Sequence, residues 1–513
     1  MAIKKFKNKS FSLLDKNDIG KKYQFICIIN SIKQTSGPTV FTLNDGTALF
    51  KATGFLSPGK RAYPEVEAQD CIEVVIQIKQ RHNKLEGEIL KLNKVDNRLC
   101  DDLKKKLREN IASKGKNFLI ESEILEKLRP DMVKAAEMIR SAVFDKHPVL
   151  IKHHADCDGY CAAIALERAI LPIIEKIASR ERSSYRFFSR SPSTSPFYEY
   201  SDALRDLSYI LETQDKYDEK LPLIILTDLG DIEENITSLK RLKQHDIKII
   251  LIDHHKPHSK KHLKKLKQIT DIYINPYDYG FDSSFVTGMI CTELAVLINK
   301  DVKNIKFLPA LAGTGDKSNI KEFEKYVKLS EYTRNSLKKY AKAIDYETYF
   351  LRFQESRPLV DELFSPEKNQ EIIDYIFSLY KKKMDEAKKA VAYYVKSVTI
   401  DSIRLIIIDC EKISAYNDYP PSGKIVRLAH EQYDDKKKIT LGLLPDSIIF
   451  RVDGVKEFDV NKTVDDLKKK MPRAMIKGGG HEFAGALKFV KAAHKEVLNY
   501  VEKKIRLIQQ KTI

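Results

Sequence analysis

Four apolar stretches of this sequence end in a short run of aspartate or histidine, and that arrangement limits the fold more than any bulk property does. The runs are IKHHADCDG (151–159), IILTDLGD (224–231), IILIDHHKP (249–257) and ALAGTGDKSN (310–319). Around them, β-rich segments (149–152, 185–189, 223–226, 248–252, 271–274) alternate with helix-periodic ones (159–177, 199–211, 232–244, 286–298). Strands alternating with helices predict a parallel, doubly wound α/β sheet. In such a sheet ligands bind outside the carboxyl ends of the strands, so the first three runs should meet at one edge. The stretch 180–198 is rich in Ser, Arg and Pro and predicts a loop over part of its length.

The residue types at that edge point to a cation. Asp156 and Asp158 alternate with Ala155 and Cys157, which aims both carboxylates the same way in an extended loop, and Gly159 lets the chain turn into the next helix. Carboxylates brought together repel one another at neutral pH unless a cation binds them. Aspartate with histidine and without cysteine suits Mn²⁺ or Mg²⁺ better than a structural zinc ion. The candidate ligands are His154, Asp156, Asp158, Asp228, His254 and Asp316, enough for two ions, with Asp253 and His255 beside them as supports or substrate contacts and the candidate catalytic pair. Two ions about 4 Å apart suit phosphoryl displacement, where they clamp the attacking and leaving oxygens. Any one of these residues alone could be a helix cap or a structural histidine. Four such runs in one domain make that alternative a poor account.

The flanking segments differ in texture. Residues 1–98 contain five short apolar runs (23–32, 39–43, 48–54, 72–80, 85–92), with Asn44-Asp45-Gly46-Thr47 as a hairpin signal between the second and third. Five strands in that length predict a small all-β barrel of the oligonucleotide-binding type. The segment has 17 basic against 10 acidic residues, and Tyr23, Phe25, Phe41, Phe50 and Phe55 are candidates for base stacking or for core. A charged helical linker over about 100–128 leads to the α/β domain, expected at 128–320. A charged helical connector is expected at 321–395 and a second mixed α/β domain at 396–513, with strands near 397–408, 438–444 and 447–452. The net charge of +18 suits a polyanionic partner or a lysine-rich surface equally well. Seven scattered cysteines without a CxxC pair support neither a disulfide framework nor a cysteine zinc site. With no signal-peptide pattern and no run of about 18 apolar residues, a cytoplasmic location without membrane insertion is expected.

His154-Ala-Asp156-Cys-Asp158-Gly159, Asp228, Asp253-His254-His255, Gly315-Asp316 and, far downstream, Gly478-Gly479-Gly480-His481 resemble the ordered motifs of the DHH phosphoesterase superfamily with its C-terminal DHHA1 domain. The leading barrel makes the chain similar to the archaeal RecJ-like single-strand exonucleases, relatives of the replication factor Cdc45. The resemblance implies that Asp156, Asp158, Asp228, His254 and Asp316 bind metal with Asp228 as the bridge, that His154 joins them, and that His255 meets the scissile phosphate as a contact or an acid. It also implies that Gly478, Gly479, Gly480 and His481 present amides and an imidazole to substrate phosphates, with Arg451 neutralising a phosphate.

The expected activity is therefore a Mn²⁺- or Mg²⁺-dependent exonuclease that degrades single-stranded DNA or RNA from an end, in replication or repair. Replisome partners follow from the resemblance alone. Two alternatives stay open: a phosphodiesterase or phosphatase acting on short oligonucleotides or cyclic dinucleotides, and a replication scaffold of the Cdc45 type.

Overall fold

A computed structural model describes residues 7–81, 84–111, 115, 117–178, 186–193, 195, 197–217, 219–229, 233–257, 259–351, 355–365, 369–400, 402–413, 418–481 and 483–509. Gly230, Asp231, Tyr185, Ile232 and the side chain of His481, all part of the sequence expectations, lie outside this set. The chain divides into two units, Met1–Leu337 and Lys338–Ile513. The division runs through the helical connector expected at 321–395.

The first unit opens with β1 (Lys7–Asn8), β2 (Lys22–Gln34), β3 (Thr39–Asn44), β4 (Leu49–Gly54), β5 (Cys71–Arg81) and β6 (Lys84–Lys94). The order β2-β3-β4-β6-β5 closes through a β2–β5 pairing, and β4 runs parallel to β6, which gives a five-stranded oligonucleotide-binding-type barrel. The β3–β4 hairpin turns as its Asp-Gly step predicts: Gly46 has φ +83°, and its amide donates to Asn44 Oδ1 at 2.9 Å. Tyr23, Phe25, Phe41 and Phe50 are buried in the barrel core. They are inward positions of a period-2 pattern, and so are not stacking platforms; of the five aromatics only Phe55, in the loop after β4, is exposed.

α1 (Asn97–Ile111) and α2 (Glu123–Phe144) follow the barrel. Cys71, the first residue of β5, forms a disulfide with Cys100 of α1, their Cα atoms 5.5 Å apart. This corrects the expectation of unpaired cysteines: the partners are 29 residues apart in sequence and meet only because α1 packs back on the barrel wall beside Ile28 and Leu103. The cysteine argument for a reducing, cytoplasmic setting falls with it. Among the described residues no helix is long and apolar enough to cross a membrane.

The α/β domain continues with β7 (Val149–His153), α3 (Cys157–Ala178), β8 (Phe188–Pro192), α4 (Tyr200–Tyr217), β9 (Leu223–Thr227), α5 (Glu233–Lys243), β10 (Lys248–Ile252), α6 (Lys260–Ile269), β11 (Ile272–Ile274), α7 (Thr287–Ile298), α8 (Leu308–Gly315) and α9 (Lys321–Ser330). Its five strands are all parallel, in the order β11-β10-β9-β7-β8. β9 is buried along its whole length, as a strand covered by helices on both faces must be. The chain leaves β7 in one direction to reach β8, then crosses to the other side for β9, so the order reverses between β7 and β9. That reversal opens a crevice at the carboxyl edge. The serine-rich segment contributes the outer strand β8, whose Arg190 makes a buried ion pair with Glu167 of α3 at 2.6 Å.

α10 (Arg334–Leu351) spans the division. The second unit continues with α11 (Arg357–Leu363), α12 (Gln370–Tyr394), β12 (Lys396–Ile400), β13 (Ile403–Asp409), α13 (Ser422–His430), β14 (Lys438–Leu444), β15 (Ser447–Asp453), α14 (Val460–Lys470), β16 (Lys477–His481), β17 (Ala484–Lys488) and α15 (His494–Gln509). The strand expected at 397–408 is two, β12 and β13, folded into an antiparallel pair. The mixed sheet has the order β12-β13-β14-β15-β17-β16. Along β13, Ile406 and Ile408 pack with α12 and α13 while Ile403 and Leu405 face α14 and α15, the two-sided burial that strand alternation provides.

Candidate metal centre

The crevice between β7 and β9 collects the acidic runs. β7 ends at His153, and His154 to Asp156 turn into α3, so Asp158 sits in the first helical turn and not in the extended loop expected for the Asp156–Asp158 pair. Gly159 has no substitute there, because a Cβ would lie 2.4 Å from the His154 carbonyl oxygen. β9 ends at Thr227, and Asp228 takes a left-handed φ of +56°, a strained backbone for a residue other than glycine and one that concentrates at functional sites. Its amide donates to the Ile252 carbonyl at 3.1 Å, and that of Asp253 donates to the Ile274 carbonyl at 3.0 Å, so the loops after β9 and β10 are held edge to edge. Asp316 follows the last turn of α8.

Asp228 stands at the middle. Its Oδ2 lies 3.5 Å from His154 Nδ1, which is itself 2.8 Å from Asp156 Oδ2. Its Oδ1 lies 3.4 Å from His254 Nε2, which is 3.4 Å from Asp316 Oδ2. The donors fall into overlapping groups: His154, Asp156 and Asp228; Asp228, Asp253, His254 and His255; and Asp158, His254 and Asp316, each within a 4.8 Å span. All six expected ligands are thus brought together.

The surroundings orient these groups. His254 Nδ1 donates to the Ser283 carbonyl at 2.7 Å, so Nε2 is the nitrogen that faces the two carboxylates and would offer its lone pair to a bound cation. Asp253 Oδ1 accepts from His255 Nδ1 at 2.7 Å and from the His254 and His255 amides, and the His255 carbonyl accepts from buried Asn275 Nδ2 at 3.0 Å. Asp158 is fully buried, its two oxygens accepting from the Thr287 and Gly288 amides at 3.0 and 2.8 Å, at the start of α7. Gly288 admits this approach because a Cβ there would meet Asp158 Oδ1 at 2.8 Å.

The electrostatics describe an excess of negative charge. Burial, with Asp228 and Asp316 close by, pushes the Asp158 carboxyl well above the usual carboxylate range, and burial with Asp156 and Asp228 pushes Asp316 up to about 6. Burial works against a charged His254, yet Asp228, Asp316 and Asp158 outweigh it and hold the imidazole well above the ordinary histidine range. His154 is raised in the same way by Asp156 and Asp228. Protons are here doing what a divalent cation does better. The donor set fits such an ion: among the described residues, the buried Asp228 Oδ1, Asp253 Oδ2 and His254 Nε2 have no hydrogen-bond partner, an expensive arrangement unless they face a cation.

Ser283, Asn275, Thr287 and Gly288 were not anticipated from the sequence. The only trace of them was the Thr-Gly step ahead of the apolar run 289–298, a helix-start signal whose contact with Asp158 is tertiary. His153, adjacent to His154, is not a donor to the centre: its Nδ1 contacts the His154 carbonyl at 2.7 Å and its ring packs on Tyr160. In the second unit, Gly478 to His481 lie in β16, the last strand of its sheet among the described residues; the run pairs with β17, and the Gly480 carbonyl accepts from Asn461 Nδ2 at 2.9 Å. Gly478 and Gly480 each have φ +141°, and a Cβ would meet the Ala486 or Ala484 carbonyl oxygen at 2.2 or 2.6 Å. Arg451 lies on β15 opposite Thr440 and Ala484, its buried Nε without a hydrogen-bond partner among the described residues.

Residues 148–312 match the model of the DHH family, N-terminal domain. A solved DHH-domain structure, described as a member of a family of ribosomal proteins, is similar to this chain at a TM-score of 0.73 and 35% identity, over 80% of this chain and 98% of that one. The chain belongs to the DHH family. The DHH domain therefore accounts for the β7–α8 region and every candidate ligand but Asp316, four residues beyond the match. An uncharacterised protein of Methanocaldococcus jannaschii is 37% identical over 504 residues, covering 91% of this chain, which spans 66% of that relative's length. RecJ from Thermus thermophilus, solved with Mn²⁺, shares the fold at a TM-score of 0.51 and 11% identity, over 73% of this chain and 54% of that one.

Proposed function

We propose that this DHH protein is a metal-dependent phosphodiesterase that degrades single-stranded DNA or RNA from an end. The observation that carries the reading is Asp228, which sends one carboxylate oxygen toward His154 and Asp156 and the other toward His254 and Asp316. A carboxylate divided in this way suits a pair of divalent ions, Mn²⁺ or Mg²⁺, held by His154, Asp156, Asp158, Asp228, His254 and Asp316. When bound, such ions supply charge neutralisation at a phosphoryl group and lower the pKa of water.

The chain's own residues do the rest. Asp253 fixes the His255 ring through Nδ1, and His255 contacts a phosphoryl oxygen or passes a proton to the leaving oxygen. The barrel extends the grip along the strand. In the second unit, proposed as the DHHA1-type substrate-binding domain, amides of Gly478–His481 and the Arg451 guanidinium contact phosphates. A small-substrate phosphodiesterase is the second reading. It is favoured by the burial of Tyr23, Phe25, Phe41 and Phe50, which leaves the barrel strands without aromatic platforms. The intact donor set disfavours a scaffold without catalysis.

Purified protein with Mn²⁺ or Mg²⁺ on single-stranded DNA and RNA, labelled at each end in turn, is the test. Stepwise shortening that Asp228→Ala abolishes is the expected result. Hydrolysis confined to short oligonucleotides or cyclic dinucleotides would transfer the proposal to the second reading.

A further inference from the structure

α6 reads KKHLKKLKQI, five lysines and no acid in ten residues. His262 and Leu266 are buried, which turns Lys260, Lys261 and Lys264 outward, with Lys265 half-exposed at the margin. Lys267 is neutralised by Asp278 at 2.7 Å. Among the described residues, no carboxylate pairs with the other four.

This arrangement raises the free energy of the protein alone. Lys260 with Lys264 and Lys261 with Lys265 are like-charge neighbours four residues apart, each pair unfavourable by roughly 0.2–0.5 kcal/mol. Lys260 and Lys261 also occupy the first turn, where the helix dipole disfavours cations, and no acidic residue is present there to compensate. An external polyanion removes both penalties.

Topology puts the lysines beside the chemistry. α6 crosses from β10 to the parallel strand β11, so it starts at the carboxyl edge of the sheet, where His254 and His255 sit. Ser259 caps it, its side chain accepting from the His262 amide. The five residue steps from His254 to Ser259 span at most about 18 Å, and the ten-residue helix runs on for about 15 Å. The outward face offers lysine and Gln268 but no aromatic or aliphatic anchor of the kind that a protein interface is built around. Lysines act as point charges that need no fixed hydrogen-bond geometry, which suits a phosphate backbone read without regard to sequence.

We propose that α6 is a docking track for the phosphates of a polynucleotide whose scissile phosphate lies at the metal centre. The inference rests on the phosphodiesterase reading and makes the substrate a long strand rather than a dinucleotide.

The test replaces Lys260, Lys261, Lys264 and Lys265 together, by Gln in one variant and by Arg in another. Cleavage of a 20-nucleotide single strand and of a dinucleotide is followed with Mn²⁺ over a range of salt. For the Gln variant, KM for the 20-mer should rise at least about tenfold and its log–log salt slope should fall by about 1.4 to 2.8, or 0.7 for each of two to four phosphates released. The dinucleotide KM should move less than about twofold on the same electrostatic argument, and the Arg variant should behave as the wild type. Equal changes for both lengths, no change for either, or an Arg variant as impaired as the Gln variant would overturn the proposal. Fluorescence anisotropy of the same 20-mer in EDTA reads α6 separately: a wild type that cleaves nothing sinks the phosphodiesterase reading, while loss of 20-mer binding in the Gln variant alone still supports the track.

Discussion

Asp253 holds His255 through a 2.7 Å contact between Oδ1 and Nδ1, and the same oxygen accepts the amides of His254 and His255. One carboxylate therefore fixes the ring and the backbone that carries it. Burial alone would raise the Asp253 pKa, but His255 and His254 beside it win and lower it, so the group stays an anion. Asp253→Asn keeps the shape and removes that charge. Losing such an orienting partner typically costs 10- to 100-fold. We expect kcat to fall by about that factor while KM for the strand changes little; an unchanged kcat would remove Asp253 from the site.

Asp228→Asn separates the roles of charge and metal. In EDTA the variant should unfold at a higher temperature than the wild type, because it relieves repulsion among clustered carboxylates. With Mn²⁺ the order should reverse, since only the wild type gains the full stabilisation from binding. Calorimetry would show the loss of at least one Mn²⁺ equivalent. A variant that binds Mn²⁺ as the wild type does contradicts the bridging role.

Glu293 sets a pH dependence outside the centre. It is fully buried in α7, accepting the Tyr326 hydroxyl at 2.8 Å and the Leu119 amide at 2.7 Å, and burial pushes its carboxyl up to about 7. Its folded-state pKa lies above the unfolded value of about 4.3, so the folded state binds more protons between the two and stability declines as pH rises through that window. Glu293→Gln cannot ionise. Relative to its value at pH 4.5, the stability difference should favour the variant by about 3 kcal/mol at pH 8, in urea unfolding of the unit that contains α7. A difference independent of pH would show that the Glu293 carboxyl titrates alike in the folded and unfolded states.

The Cys71–Cys100 disulfide closes a loop with a sequence separation of 29. On the chain-entropy account a loop of that size is worth about 3.6 kcal/mol. Cys100→Ser should lower the stability of the barrel by that order under oxidising conditions and have no effect in a strong dithiol reductant. Equal stability in both conditions would mean that the bridge adds nothing.

The six candidate ligands were legible in the sequence because each follows an apolar β-strand or helix, and a parallel sheet gathers strand ends without further instruction. The hairpin at Gly46 was legible for an equally local reason. What escaped was whatever depends on contact between distant segments. Asp158 is a member of the donor set, but its hold on the Thr287 and Gly288 amides is written nowhere near it. The barrel aromatics were ambiguous because core and platform use the same residue types, and only the closed barrel decides which face each strand turns inward. Cys100 pairs with Cys71 across a strand and a helix that meet in three dimensions alone.

The contact between Asp158 and the start of α7 also bears on when the centre can exist during synthesis. It joins residues about 130 apart, and Asp316 lies further along still. A nascent chain has its barrel well before it has this pair, and any truncated product ending ahead of α8 lacks both Asp316 and the packing beneath it. On the proposed reading, hydrolysis is withheld until the whole DHH domain has left the ribosome, and an unfinished chain cannot attack the message that encodes it.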